Sequence, residues 1–225
     1  MKIKPNLLSI DIGVNYLGAC ATNFGDQFLL DGKLLKSWSF FYIKKVTAIK
    51  AINTKSKRIQ KYKQKHFAYI KQYLFKVICY LKRYCKNNQI KTIILGEIPT
   101  KNVNDNEYFF NMEYNYSNVN NYIMALFCYN VQNLDIKVVT VKENCTSKIS
   151  FYDLEPISAK VNAGRRGKRV TRGRFKTNEG KNVHADINAC LNFFRKCNIC
   201  MKYVDLDKCR KNLLLHPKKI KFSDD

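Results

Sequence analysis

The sequence predicts an α/β fold in which a mixed five-stranded sheet is flanked by helices and interrupted by a basic helical insertion at about residues 44–88. Three observations point there. Short apolar strands separated by tight turns open the chain, and segments of helical and strand periodicity then alternate. The 225 residues, 46% hydrophobic, are enough for one substantial core and little beside it. The expected organisation is one domain over residues 1–200 and a basic C-terminal extension over 201–225.

Leu7-Leu-Ser-Ile-Asp-Ile-Gly13 is an apolar strand ending in Asp and Gly, and Tyr16 to Thr22 is a second. The Phe24-Gly-Asp26 turn leads into Gln27 to Leu30. Asp31-Gly32 is a hairpin signal, so Lys33 to Lys36 is expected to return as a strand. From Lys44 to Asn88 the spacing is helical, with Ile70, Leu74, Val77, Leu81 and Tyr84 on one stripe, which predicts a helical hairpin. No Asp or Glu falls between Asp31 and Glu97, so this hairpin presents a basic face. Lys91 to Glu97 is the next strand. A polar loop runs to about Asn115, a helix covers Val119 to Phe127, and Ile136 to Lys142 is a further strand. Thr146 to Val183 reads as a loop carrying a dense Arg/Lys run, and Ala185 to Lys196 closes the pattern as a helix. An antiparallel meander followed by alternating helices and strands is the RNase H-like arrangement.

Forty-one Lys and Arg against 17 Asp and Glu leave a formal charge of +24, which calls for a polyanionic partner. Nucleic acid is the first choice, contacted through Lys57, Arg58, Lys61 and Lys65 on the helical face and through Arg165, Arg166, Lys168, Arg169, Arg172 and Arg174 of the basic run. No apolar stretch has membrane-spanning length and no signal peptide is evident, so a cytoplasmic, non-secreted protein with no membrane partner is expected. The nine cysteines are accordingly read as reduced thiols.

Cleavage of a phosphodiester by two divalent ions needs three or four converging carboxylates, because Mg2+ prefers oxygen ligands. In this layout they come from the first strand, the end of a later strand and the last helix. Asp11, Glu97 or Glu143, and Asp186 occupy those places.

These same residues carry a family resemblance. Asp11-Ile-Gly-Val-Asn-Tyr-Leu-Gly resembles the first RuvC motif of the TnpB/OrfB proteins of bacterial insertion sequences. Glu143-Asn-Cys-Thr-Ser-Lys-Ile-Ser-Phe-Tyr-Asp is similar to a Glu-Ser-Tyr-Thr-Ser-Lys-x-Ser-Phe-x-Asp block of one subgroup. Gly167-Lys-Arg-Val-Thr-Arg-Gly resembles that subgroup's basic segment, and His184-Ala-Asp-Ile-Asn its closing motif.

The resemblance implies a Mg2+- or Mn2+-dependent endodeoxyribonuclease, the RuvC half of a transposon-associated, RNA-guided enzyme. DNA would be its substrate and RNA its guide. Asp11 and Asp186 carry over as catalytic metal ligands. The subgroup's pattern points to Glu143 as the third, whereas most of the family places its glutamate near Glu97. Relatives have a large N-terminal region for guide handling, so a truncated copy, a split gene acting with a separate N-terminal half or partner protein, or a stand-alone derivative is expected. They also carry two Cys-x-x-Cys pairs for zinc before the last Asp. This chain has one, Cys197-Asn-Ile-Cys200, after it, so zinc is not expected. The competing readings are a cleavage-deficient nucleic-acid-binding remnant and a structure-selective resolvase.

Overall fold

A computed structural model describes residues 4–13, 15–96, 134–157 and 166–222. In chain order its elements are β1 (Asn6–Asp11), β2 (Tyr16–Thr22), β3 (Gln27–Asp31), α1 (Lys33–Ile52), α2 (Lys57–Asn87), β4 (Ile90–Gly96) and β5 (Lys137–Val141). There follow β6 (Lys168–Thr171), β7 (Arg174–Lys176), β8 (Asn182–His184), α3 (Ala185–Lys196), α4 (Asn198–Met201), α5 (Leu206–Asn212) and β9 (Lys218–Ile220).

Among the described residues the main sheet is ordered β5-β4-β1-β2-β3-β9. β1, β2 and β3 form the expected antiparallel meander, and β4 and β5 continue it in parallel on the β1 side. The sheet thus has six strands rather than five. The sixth is β9, parallel to β3, supplied by the segment expected to be a basic extension. Two lysines in three residues hide it from any strand pattern, yet Phe222 just beyond is buried against α2 and β3.

Period-two alternation divides the sheet between two cores. Leu8, Ile10, Phe28, Leu30, Ile93 and Leu95 pack with Ile70, Leu74, Val77 and Leu81 of α2. Leu7, Leu29, Ile94 and Val141 pack on the opposite face with Ile187, Cys190, Leu191 and Phe194 of α3. Each fully buried aliphatic or aromatic side chain contributes about 1.5–3 kcal/mol. No helix among the described residues is long and apolar enough to cross a membrane.

Two expected elements differ. Lys33 to Lys36 begins α1 instead of returning as a strand: the Asp31 carboxylate accepts the Lys33 N–H at 3.0 Å, and Leu35, Ser39, Tyr42 and Val46 are buried at helical spacing. Asp-Gly here starts a helix. α2, entered through a Ser56 cap, runs back against α1, so the hairpin is longer than expected. The stretch from Thr146 is not loop throughout either. β6, β7 and β8 form a second, antiparallel sheet around the buried Phe175, and β8 passes directly into α3. The expected loop to Asn115 and helix Val119 to Phe127 lie outside the described residues.

A polar ladder on α3 ties down the chain before this ribbon. Buried Asn188 accepts the Phe151 N–H at 2.9 Å and donates to the Ile149 carbonyl at 2.8 Å. One turn on, Asn192 donates to the carbonyls of Thr146 and Ile149, both at 3.0 Å. The buried Glu155 carboxylate collects the N–H groups of Ser150, Arg166 and Gly167 at 2.6–2.7 Å and so pins the start of the ribbon.

Candidate active site

Asp11 ends β1 on the face that packs against α3. Ser9, two residues back on that face, donates to the Cys190 carbonyl of α3 at 2.9 Å. Asp186 stands in the first turn of the same helix, where the N-terminal partial charge favours a carboxylate. Glu143 follows β5 by two residues. Its carbonyl accepts both the backbone N–H (3.1 Å) and the hydroxyl (2.7 Å) of Thr146.

Asp11 lies in the field of the other two carboxylates. Burial, then Glu143, then Asp186 hold the Asp11 carboxyl well above its ordinary pKa, and only the Arg169 guanidinium opposes them. Burial likewise raises Glu143, against the pull of Lys196. Asp186 is bound by Arg169 of β6 at 2.7 Å, with both side chains about one-third exposed. Arg169 also donates to the Arg172 carbonyl. The structure therefore sets Glu143 and Asp186 near Asp11; of the two glutamates the sequence left open, Glu97 lies outside the described residues.

Asp11, Asp186, Arg169 and Arg172 line a cleft of about 170 Å3. Oxygen donors of like charge, strained by burial and neutralised by one guanidinium, suit a hard divalent cation by donor type. Among the described residues, however, no group of three acidic, His or Cys side chains is placed to hold a metal ion. Arg169 occupies Asp186 instead.

Several neighbours were not legible in the sequence. Lys196, at the far end of α3, donates to the Lys142 carbonyl and to Asn144 Oδ1, both at 2.6 Å, and so grips the residues on either side of Glu143. Gly96 ends β4 beneath Glu143, and a Cβ there would fall inside its carboxylate. His184 is buried two residues before Asp186. Burial lowers its imidazole from the ordinary value, and its Nδ1 meets no partner among the described residues. It faces a larger cleft of about 610 Å3 shared with Lys33, Lys36, Phe40, Arg172 and Asp186. The proximity of His184 to Asp186 in sequence was the one available signal.

The remaining site candidates separate. Lys168, Arg169, Arg172 and Arg174 lie on the β6–β7 ribbon, with Arg169 and Arg172 at the carboxylates. Arg166 begins the ribbon on Glu155. Lys57, Arg58, Lys61 and Lys65 open α2, where the last three join Lys45 and Tyr62 around a different cleft of about 500 Å3. Glu97 and Arg165 lie outside the described residues.

No family model and no curated protein matches the chain. Solved structures do. The cryo-EM structure of the Cas12f1–sgRNA–target DNA complex aligns with a TM-score of 0.58 and 20% identity over 86% of this chain and 50% of that one. The cryo-EM structure of a CRISPR-Cas12f ternary complex aligns with a TM-score of 0.56 and 18% identity, over 86% and 40%. The chain spans half the length of its matches or less. The fold is thus the mixed α/β RNase H-like fold.

Proposed function

We propose that this chain is a metal-dependent DNA endonuclease domain of the RuvC type, resembling the catalytic half of the TnpB/OrfB proteins. The observation that carries this is the arrival of Asp11, Glu143 and Asp186 from β1, β5 and α3 on one face, close enough for the other two to raise Asp11. Asp11 and Asp186 would hold Mg2+ or Mn2+, with Glu143 completing the set. When bound, such ions activate water and offset charge developing at the phosphate.

The chain's own residues do the rest. Arg169 and Arg172, on the same cleft, neutralise the incoming phosphate. Lys196 fixes the backbone that presents Glu143. His184, whose imidazole burial pushes below its ordinary value, stands two residues before Asp186. DNA as substrate and RNA as guide follow from the sequence resemblance and from the partners named for the Cas12f structures. Guide recognition by a further protein segment or partner belongs to the same proposal.

One observation favours a second reading, a binding domain with no cleavage. The Arg169–Asp186 ion pair satisfies a carboxylate that a metal would otherwise need. Both readings are tested by incubating the purified chain with single-stranded and plasmid DNA in Mg2+, Mn2+ or EDTA, beside Asp11→Ala and Asp186→Ala. The nuclease reading expects metal-dependent cutting that both variants abolish while still binding DNA. Cutting undiminished in either variant would remove the site assignment, and binding without cutting in every metal would leave the second reading.

A further inference from the structure

The Cys197–Cys200 pair has no part in the nuclease reading. Cys197 caps the end of α3, and a tight turn there closes with the Cys200 N–H on the Cys197 carbonyl at 2.7 Å. The turn brings the two sulfurs to 2.7 Å from each other. Other described cysteines use their thiols differently: Cys190 points at the carbonyls of Ser9 and Ala19, and Cys209 at that of Thr22. Among the described residues no third ligand joins the pair to make a metal cluster. Two thiols facing each other in this way have one evident chemistry, since a disulfide of about 2.05 Å requires a further approach of only about 0.7 Å.

We propose that Cys197 and Cys200 form a redox-active dithiol, oxidised to an intrachain disulfide by low-molecular-weight disulfides such as oxidised glutathione. Cys197 is partly exposed, whereas Cys200 is 6% exposed among apolar side chains. Cys197 therefore attacks first. Its thiolate takes one sulfur of the small disulfide and releases one small thiol. Cys200 then loses its proton, attacks the Cys197 sulfur and expels the second. The protein loses two electrons and two protons, and the small disulfide becomes two thiols. In the reduced pair, burial and the neighbouring thiol push Cys200 up to about 12, which agrees with Cys197 as the attacking thiol.

The pair sits one residue beyond Lys196, which holds both sides of Glu143. Closing the bond restrains the backbone from which Lys196 reaches, and so orders the segment from Lys142 to Lys148. This consequence rests on geometry alone and needs no nuclease activity.

Trypsin releases Cys197 to Lys202 as one peptide, so the test is direct. The whole chain is exposed to oxidised glutathione, alkylated, digested and weighed, and hydrogen exchange is followed in parallel. The expected result is a peptide lighter by two hydrogens with neither thiol alkylated, restored by excess reduced glutathione. Cys200→Ser should stop as a glutathione adduct on Cys197, and Cys197→Ser should give no disulfide in this peptide. Amide exchange over 142–148 should slow on oxidation in the wild type only. A peptide alkylated at both positions after oxidation, or zinc retained stoichiometrically and shielding both thiols, would overturn the dithiol. Unchanged exchange over 142–148 would overturn the link to Glu143.

Discussion

Asp11 is a carboxylate that the metal-free fold holds at a disadvantage. Its pKa in the folded chain lies above that of an unfolded Asp, first through burial and then through Glu143 and Asp186. A group raised in this way contributes stability that is fully present below about pH 4 and is lost as pH climbs through the folded value. In EDTA this carboxyl should therefore contribute a loss of stability from acid toward neutral pH, with Glu143 acting in the same direction. Asp11→Asn removes the charge and should flatten that decline, raising neutral stability on the order of 1 kcal/mol, or about 2–4 °C in Tm. Calorimetry of both proteins in EDTA at pH 5 and pH 8 checks it, and parallel pH profiles would sink the idea. Asp11 and Asp186 were legible because a strand-end acid before Gly and an acid at a helix start are local patterns. Glu143 was legible only through resemblance. Lys196 and Gly96 were not, since each meets the Glu143 segment only after distant elements have packed.

At the scale of elements, local signals failed where one motif serves two ends. Asp31-Gly32 suits a hairpin turn, but the Asp31 carboxylate bonding to Lys33 starts α1, and the buried spacing of Leu35, Ser39 and Tyr42 sustains it. The ribbon β6–β7–β8 escaped notice because every side chain of β6 is exposed, so no alternation marks it. It stays in place through α3 instead. Asn188 satisfies one donor and one acceptor of the backbone at Ile149 and Phe151, all fully buried. Asn188→Ala leaves the Phe151 N–H unpaired, while the Ile149 carbonyl keeps the Asn192 amide. Urea unfolding should show a loss of about 1–3 kcal/mol, with earlier proteolysis between Thr146 and Glu155. A loss below about 1 kcal/mol would mean that this ladder does not anchor the segment.

For the whole molecule, the charge of +24 was plain from composition, while its distribution needed the fold. One basic group meets the carboxylates and another surrounds the cleft at the start of α2. Replacing Lys57, Arg58, Lys61 and Lys65 together by Ala should weaken binding to all DNA sequences alike and flatten the plot of log K against log salt by up to about three to four units, at roughly 0.9 for each phosphate no longer neutralised. Fluorescence anisotropy across a sodium chloride series reads this directly, and an unchanged slope would refute the assignment of these four side chains to phosphate. The sheet's connectivity has another consequence, for synthesis. β1 is made early, yet its partners on α3 lie far downstream, as the Ser9–Cys190 bond across 181 positions shows. At about 5–20 residues per second, Asp186 leaves the ribosome on the order of ten to thirty seconds after Asp11, and the strand that covers the edge of β3 later still. A chain made only as far as α2 therefore carries its basic helices exposed before Asp186 has joined Asp11, so the surface that fits a polyanion exists before the carboxylate cluster does.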